Sequence, residues 1–453
     1  MTVKSVHITN YYHRNSGGIS TAYNKLLEGA NRRKRFVRLI VPGEKSCMEE
    51  IGEFGRIYYV KAAYSPLFDK RYRIMWPWKT YILDKSPIKV ILREEKPDLI
   101  EIGEKYTLSL MAGLLRKGIM NVTDRRPLLL HFSCERMDDN VEAFISSGTM
   151  LKRMSQAVVR NYLFPMFDFH LTNSDYTARE LLDAVSEKST EKRNLRSFIW
   201  KVLRAPRSEA AERIFVNHCG VDTGSFSIAR KSDEKRVKIY ASYGIPANAK
   251  LLLYAGRISP EKNILLLPEI IKELAAASNC EFRLLVAGAG PEQEKLSVEC
   301  ERAAPGKMIM LGHMNDMEVL ADLFANCDAF VHPNPREPFG ITPLEAMASG
   351  LAVAAPNSGG LLSYANSENA WLCEPNGRAF AAGINEIFSD EACRKAKIAK
   401  ALETSQRYDW ETSVDNLFGL YDKMLKEFRE NRGVYDHRKV PNEFEPSPVH
   451  LTQ

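Results

Sequence analysis

Short apolar runs alternate with amphipathic stretches along this chain, and the alternation starts again near its middle. Strand-like runs fall at residues 3–9, 36–41, 56–60, 98–102, 127–132 and 169–174, then at 251–256, 282–288, 308–311 and 329–332. Helical patterns fall at 19–30, 261–276, 291–303, 316–326, 343–349 and 410–428. Such alternation predicts α/β domains with parallel, doubly wound sheets. With 453 residues and roughly 150 residues per domain, we expect two or three domains.

The charge and cysteine content exclude several classes of protein. The net charge of +6 is too small to indicate a nucleic-acid partner. The eight cysteines are scattered, without a C-x-x-C pair, which is typical of reduced thiols in the cytoplasm. The N-terminal residues lack the apolar core of a signal peptide, and no run approaches the roughly 18 apolar residues of a membrane span. We therefore expect a cytoplasmic protein.

The segment 332–360 is the most informative stretch of the sequence. A strand-like run ends at His332, and a loop with three prolines and Gly340 follows it. Thr342 is suited to cap a helix and Pro343 to begin it, and Thr342-x-x-Glu345 matches a capping box. A helix that begins directly after a strand and a glycine loop presents free N–H groups to an anion such as a diphosphate.

Glu337-Pro-Phe-Gly-Ile-Thr-Pro-Leu-Glu345 resembles the E-x7-E signature of the retaining glycosyltransferases of family 4. The resemblance extends to other motifs along most of the chain: Gly17-Gly18, His131, 217–222, 256–263 and 287–291. It implies the GT-B fold, in which two Rossmann-like, doubly wound domains face a cleft. It also implies transfer of a glycosyl unit from a nucleotide-sugar, with retention of the anomeric configuration.

The resemblance also implies a role for individual residues. Arg257 and Lys262 would bind the donor diphosphate, and Glu345 would accept hydrogen bonds from the ribose hydroxyls. Glu337 would contact hydroxyls of the transferred sugar, and His131 would lie beside that sugar. The catalytic set would be His131, Glu337, Arg257 and Lys262. The N–H groups around Phe339, Gly340, Ile341 and Thr342 would meet the diphosphate and the sugar.

Glycines complete the expected donor site. Gly17 and Gly18 follow the first strand, where the backbone can approach a ligand closely. Gly288 and Gly290 form a turn against which a nucleotide could lie, and Met314 would border the base. Glycogen synthases of this fold carry a lysine two residues before the first glycine pair, and Asn15 stands here. Glycogen synthesis is therefore disfavoured.

No Asp-x-Asp occurs in the sequence, and glycosyltransferases of the other main fold use that pair to hold a divalent metal. We therefore expect neither a metal nor a cofactor, with cationic side chains and helix ends stabilising the diphosphate.

The resemblance and the patterns divide the chain into four parts. They are an N-terminal acceptor-binding domain (1–218), a C-terminal nucleotide-sugar-binding domain (219–408), a terminal helix returning to the first domain (409–428) and a mobile tail (429–453). Residues 186–212 read as a basic insertion into the first domain. The basic residues of this insertion surround the apolar residues Phe198, Ile199 and Trp200 and are Lys192, Arg193, Arg196, Lys201, Arg204 and Arg207. Two interpretations are open: a solvated basic helix, or a peripheral contact with anionic lipid at the inner face of the membrane.

The sequence leaves the donor and the acceptor open. GDP-mannose and UDP-hexoses fit equally as donors, and the acceptor could be a carbohydrate or a glycolipid. A nucleotide-sugar epimerase of the same fold and a non-catalytic binding protein are the alternatives. A dehydrogenase is disfavoured, because Gln293 stands where the G-x-G-x-x-G fingerprint needs its third glycine.

Overall fold

Two parallel β-sheets, each flanked by helices, form the two halves of the molecule. The computed structural model describes residues 3–13, 17–65, 73–144, 148–186, 193–277 and 280–436. The N-terminal sheet has eight strands in the order β10-β9-β8-β7-β1-β2-β4-β3, and only β3 runs antiparallel to its neighbour. A separate two-stranded antiparallel ribbon is formed by β5 and β6. These strands are β1 Lys4–Ile8, β2 Phe36–Gly43, β3 Cys47–Ile51, β4 Gly55–Lys61, β5 Ala63–Tyr64, β6 Arg73–Ile74, β7 Leu99–Ile102, β8 Leu128–Ser133, β9 Phe169–Thr172 and β10 Ile214–Val216.

Eight α-helices lie between the strands of the N-terminal sheet in the described ranges. They are α1 Gly18–Arg33, α2 Pro77–Thr80, α3 Pro87–Glu95, α4 Ser109–Lys117, α5 Met137–Phe144, α6 Thr149–Val158, α7 Asp175–Val185 and α8 Arg193–Val202. The apolar residues of the strands are buried on both faces of the sheet, so the strand sequences read as continuous apolar runs rather than alternating ones.

The C-terminal half repeats the architecture with a six-stranded, wholly parallel sheet in the order β13-β12-β11-β14-β15-β16. Its strands are β11 Lys250–Ala255, β12 Phe282–Ala287, β13 Met308–Gly312, β14 Ala329–Val331, β15 Ala352–Pro356 and β16 Trp371–Cys373. The helices are α9 Asp233–Ser242, α10 Leu266–Ala277, α11 Gln293–Ala303, α12 Met317–Asn326, α13 Ile341–Ala348, α14 Gly377–Ser389, α15 Glu391–Arg407, α16 Trp410–Glu430 and α17 Arg432–Tyr435.

All ten strands expected from the apolar runs are present, and the predicted parallel α/β class is confirmed. The sequence patterns missed four strands of the two large sheets, β3, β10, β15 and β16. Two of them, β10 and β16, are only three residues long, and β3 is a polar edge strand whose residues are largely exposed. Such segments lack the apolar run by which a buried strand is recognised.

The chain crosses between the two halves twice, and the two crossings touch. Val221 donates its N–H to the carbonyl of Tyr408 (2.7 Å), and Trp410 donates to the carbonyl of Val221 (3.3 Å). A Cβ at Gly220 would lie 2.6 Å from the backbone of Trp410. Only glycine allows the two crossing segments to come this close.

Helix α16 packs on the N-terminal sheet although it follows the C-terminal domain in sequence. Its buried face, which includes Phe418, Tyr421 and Met424, shares a core with α1 and β2. The hydroxyl of Tyr421 donates to Oε2 of Glu101 (2.6 Å), a buried carboxylate on β7 that His7 Nδ1 also contacts at 3.0 Å.

The prediction of a mobile tail from Arg429 onward is wrong for residues 429–436. Helix α16 continues to Glu430 and α17 follows it. Tyr435 is buried against Phe169, and its carbonyl accepts hydrogen bonds from the buried Arg116 and Arg126. These contacts hold the segment on the N-terminal domain. Residues 437–453 lie outside the described residues.

The basic insertion contains a helix, α8, whose aromatic residues face in different directions. Trp200 stacks on Phe164 and donates its Nε1–H to the carbonyl of Arg160 (3.1 Å), whereas Phe198 is largely exposed. Lys192 and the side chains of Arg193 and Arg196 lie outside the described residues. Within the described ranges, no helix combines the length and apolarity needed to cross a bilayer.

Replacing Tyr421 by Phe should destabilise the protein, because the buried Glu101 carboxylate loses a hydrogen bond. We expect the free energy of unfolding in urea to fall by about 1.5–3 kcal/mol. Tyr243→Phe is the control, since Tyr243 is 38% exposed, and it should change stability by less than about 0.5 kcal/mol. Equal stability of the two variants would show that the α16–β7 contact contributes nothing.

Candidate functional site

The loops that follow β11 and β14 meet at one edge of the C-terminal sheet. The two strands are parallel neighbours, with Leu252 beside Ala329 and Leu253 beside Phe330, so their carboxyl ends lie together. The loop after β11 carries Lys262, and the loop after β14 carries Glu337. Nζ of Lys262 lies 2.9 Å from Oε2 and 3.1 Å from Oε1 of Glu337. Two residues 75 positions apart in the sequence thus form a two-pronged ion pair at the carboxyl ends of the strands.

The ion pair fixes the charge state of both partners. Burial alone would raise the pKa of Glu337, but the Lys262 ammonium outweighs it and the net pKa lies below the usual range. Burial would lower the pKa of Lys262, and the Glu337 carboxylate outweighs it, so its net pKa is raised. At neutral pH, the site therefore holds a carboxylate and an ammonium side by side.

Two further residues of the β14 loop lie beside Glu337, and only one of them, Asn334, forms a hydrogen bond with it; the sequence analysis did not single them out. Nδ2 of Asn334 donates to Oε2 of Glu337 (3.2 Å), and Nε2 of His332 lies 3.6 Å from the same oxygen. Burial lowers the pKa of His332 to about 4, so its ring is neutral at pH 7. The signal in the sequence was their spacing, at three and five residues before Glu337 on one short loop.

Helix α13 begins two residues earlier than predicted. Gly340 is its N-cap in the left-handed conformation (φ 88°), and the helix starts at Ile341. Thr342 is therefore not the N-cap, and Glu345 lies in the second turn, so the predicted capping box is wrong. The left-handed Gly340 turns the chain sharply, which brings Glu337 and the N–H groups of the first turn to the same edge of the sheet.

Glu345 lies on α13 with its carboxylate uncommitted. Its side chain makes no hydrogen bond or ion pair with any residue that the structure describes. Burial raises its pKa to about 8, and the nearby Asp222 adds to the effect. A partly buried carboxyl group without a partner is suited to accept hydrogen bonds from a ligand.

Arg257 and Lys262 lie on a tighter turn than predicted. Residues Pro260–Lys262 form a single 3₁₀ turn that ends at the left-handed Asn263 (φ 51°), and α10 starts only at Leu266. The predicted continuous helix from 261 is therefore wrong. Asn263 donates to the carbonyl of Pro333 (2.9 Å), which ties this turn to the β14 loop. Arg257 lies 3.4 Å from Glu261 on the same turn.

Gly288 and Gly290 lie against the loop that follows β11. A Cβ at Gly288 would lie 1.9 Å from the carbonyl oxygen of Gly256, and one at Gly290 would lie 2.0 Å from that of Ile258. Their lack of side chains is required by the packing of two loops, whatever ligand the turn binds. Met314, after β13, is half-buried against the core of this domain.

The N-terminal domain approaches α13 from across the cleft. A Cβ at Gly18 would lie 2.9 Å from Cδ1 of Ile341, and Gly17 has a positive φ of 96°. Oγ of Ser174, at the N-terminus of α7, donates to the carbonyl of Pro338 (2.5 Å). The glycine turn of the N-terminal domain and the start of α7 therefore lie against the loop that follows β14 and the start of α13. Asn15 lies outside the described residues.

His131 is not brought to this cleft. It is completely buried, its Nδ1 lies 3.3 Å from Nδ1 of His170, and its ring packs against Phe167. Burial lowers its pKa well below the usual range. A side chain with no exposed atom cannot contact a sugar in this conformation, so the structure does not support the predicted catalytic role. Strand alternation turns His131 towards the face of the sheet where Phe167 and His170 lie, and Phe132 towards the opposite face, where it packs against Tyr23.

Polar residues after β8 are engaged with one another. Glu135 accepts from the hydroxyl of Tyr11 (2.8 Å), and Arg136 forms a two-pronged pair with Asp138 (2.9 and 2.7 Å). Asp139 accepts from the hydroxyl of Tyr176 (2.7 Å), and burial raises its pKa to about 6. Within the described ranges, no group of His, Cys, Asp and Glu side chains is arranged to hold a metal ion.

Solved structures with the same architecture are two-domain glycosyltransferases. Anabaena HepE in complex with UDP aligns with a TM-score of 0.66 at 18% identity, over 93% of this chain and 100% of that one. Sucrose-phosphate synthase from Thermosynechococcus elongatus aligns with a TM-score of 0.68 at 18% identity, over 93% and 99%. This chain has the GT-B fold. The predicted pair of Rossmann-like domains is confirmed.

Sequence comparisons also find glycosyltransferases. Residues 235–404, in the C-terminal half, match the family model of glycosyl transferases group 1. An uncharacterized glycosyltransferase of Methanocaldococcus jannaschii is 26% identical over 51% of this chain and 58% of its own length. The GDP-mannose-dependent alpha-(1-6)-phosphatidylinositol dimannoside mannosyltransferase of Mycobacterium tuberculosis is 22% identical over 93% and 97%. The chain thus spans a little over half of the first relative and almost all of the second. These findings support a glycosyltransferase.

The uncommitted Glu345 should make stability depend on pH. Its carboxyl group keeps its proton in the folded protein up to about pH 8, whereas the unfolded chain loses it near pH 4.5. Stability from this proton is complete below about pH 4.5 and is lost as the pH rises, by at most about 1.4 kcal/mol per unit.

Glu345→Gln removes this dependence. The variant should therefore gain stability relative to wild type between about pH 5 and about pH 8, as measured by urea unfolding at several pH values. A difference that stays constant over this range would show that the folded state does not retain the proton.

Proposed function

We propose that this protein is a retaining glycosyltransferase that moves a hexosyl unit from a nucleoside-diphosphate sugar to a hydroxyl group of a carbohydrate or lipid-linked acceptor. The observation that carries the proposal is the Lys262–Glu337 pair beside the N-terminus of α13, in the cleft of a GT-B fold. A cation and a helix N-terminus bind a diphosphate, and an adjacent ionised carboxylate accepts hydrogen bonds from sugar hydroxyls.

Lys262, Arg257 and the first turn of α13 bind the diphosphate in this proposal. An ammonium group has three donors, so Lys262 can hold Glu337 and a phosphate oxygen together. The helix dipole and the N–H groups of Ile341 and Thr342 add positive potential on the other side. These groups act as the electrophilic partner of the leaving diphosphate, and the reaction would need no metal.

The two glutamates take different parts of the donor. Glu337 is ionised, held by Lys262 and Asn334, and accepts from hydroxyls of the transferred sugar. Glu345 is one turn further along α13 and accepts from the ribose hydroxyls. The N-terminal domain, across the cleft, binds the acceptor.

The reaction follows a front-face course in this proposal. The acceptor hydroxyl attacks the anomeric carbon on the side that the diphosphate leaves, and a diphosphate oxygen takes its proton. A double displacement would need a carboxylate nucleophile on the opposite face of the sugar, and we assign no residue to that task. His131 is buried and cannot reach the substrate. In this proposal the protein therefore contributes mainly positioning and charge stabilisation.

The similar proteins name two classes of donor. HepE has been solved with UDP and with UDP-glucose, and the mycobacterial relative uses GDP-mannose. Both a UDP-hexose and GDP-mannose therefore need to be tested. We place the enzyme in the cytoplasm. The nucleotide sugar is its substrate, and we propose no cofactor.

Purified protein incubated with a panel of nucleotide sugars should slowly hydrolyse one of them without acceptor, and hydrolysis should persist in EDTA. Detection of the released nucleoside diphosphate and sugar identifies the base and the hexose. Loss of hydrolysis on chelation, with recovery in manganese or magnesium, would contradict the metal-free proposal. Release of an epimerised sugar would favour the epimerase, and absence of turnover with tight binding would favour a non-catalytic binding protein.

The variants Glu345→Gln and Glu337→Gln should differ in product binding. Above about pH 8, where Glu345 is ionised, Glu345→Gln loses a charge-assisted hydrogen bond to the ribose, so nucleoside diphosphate affinity measured there should fall by roughly ten- to a hundredfold. Glu337 contacts the sugar that the product lacks, so Glu337→Gln should retain most product affinity while turnover falls steeply. Calorimetry and turnover rates measure both. Wild-type product binding by Glu345→Gln, or full turnover by Glu337→Gln, would contradict the corresponding assignment.

A further inference from the structure

An apolar groove lies between α6 and α8, on the N-terminal domain. It has a volume of about 600 Å³ and is lined mainly by apolar side chains, among them Met154, Val158, Phe198 and Val202. These four side chains are substantially exposed, and so is Met150. A folded protein leaves this much apolar surface in contact with water mainly where it binds something.

The exposed apolar residues form one stripe on each helix. Met150, Met154 and Val158 repeat every four residues on α6, and Phe198 and Val202 do so on α8. Residues spaced by four lie on the same face of a helix. The stripe on α8 cannot turn inward, because Trp200 already anchors the opposite side of this helix to Phe164 and Arg160.

The charges of the two helices have one sign. Neither α6 nor α8 contains an aspartate or a glutamate. Lys152 and Arg153 on α6 and Lys201 on α8 are exposed, and Arg204 and Arg207 follow α8 with exposed side chains. A second copy of this chain would bring like charges together at such a surface, whereas an anionic surface would be attracted to it.

We propose that the α6–α8 face binds an anionic lipid bilayer, with its apolar stripes inserted among the headgroups and its basic residues against the lipid phosphates. Amphipathic helices with apolar and basic residues bind membranes in this way, and each basic residue near the surface strengthens binding about fivefold. The proposal does not depend on the donor or the acceptor.

Vesicle flotation with the full-length protein tests the proposal. The probes are vesicles of phosphatidylcholine alone and of phosphatidylcholine with phosphatidylglycerol, at low and high salt. Wild-type protein should float with the anionic vesicles at low salt, and both neutral vesicles and high salt should reduce the bound fraction. Equal binding to both vesicle types, or no binding to either, overturns the proposal.

Matched variants locate the contact. Met154 and Phe198 are 54% and 64% exposed, and the controls Met317 and Val298, in the C-terminal domain, are 54% and 60% exposed. The double variant Met154→Gln/Phe198→Gln should bind anionic vesicles at least about tenfold more weakly than wild type. The control variant Met317→Gln/Val298→Gln should bind like wild type. Arg153→Gln/Lys201→Gln should lose about fivefold for each charge. Equal binding of all variants overturns the assignment of this face.

Two further measurements separate this result from other causes. The urea midpoints of the variants should match wild type, because the changed side chains are exposed. Nucleoside diphosphate binding should also be unchanged, so a failed proposal about the donor site would not affect the vesicle result. A dimer in solution that the Met154→Gln/Phe198→Gln variant loses, without vesicle binding, would show that a second copy covers the face instead.

Discussion

The parallel pairing of β11 with β14 is the contact on which the site depends. Because the two strands run in the same direction, their carboxyl ends coincide, and the loops carrying Lys262 and Glu337 are forced together. Every other feature of the site refines this arrangement. Asn263 ties the two loops by a hydrogen bond to Pro333, and Gly288 and Gly290 leave the room that the β11 loop needs.

The two glutamates of the site differ in their charge state at neutral pH. Glu337 is ionised because Lys262 lies against it, while Glu345 is unpaired and holds its proton to about pH 8. A group that is unpaired in a partly buried place costs stability, and natural proteins retain such groups mainly at functional sites. The unpaired Glu345 therefore indicates that a ligand binds beside this side chain.

Side-chain and backbone contacts join the two domains, among them an ion pair between Arg336 and Glu142 (3.0 Å). The crossing segments meet at Gly220 and Trp410, Ser174 bonds to Pro338, and Gly18 lies against Ile341. Helix α16 adds the longest connection, since it leaves the C-terminal domain and completes the core of the N-terminal one through Tyr421 and Met424. Contacts made by glycine and backbone atoms allow the loops of both domains to reach one cleft.

The sequence by itself determined the α/β class and the presence of two α/β domains, because apolar periodicity is a local property. It also identified the loop that carries Glu337, because a contiguous motif is local too. It could not determine the start of α13 or the fate of His131. A left-handed Gly340 outweighed the capping preference of Thr342, and packing against Phe167 and His170 buried His131. It also missed His332 and Asn334, whose contacts with Glu337 depend on how one loop folds back. The burial of Trp200 and the exposure of Phe198 also depend on the packing of α8. The two residues face different directions on the helix, and the tertiary structure decides which face is covered.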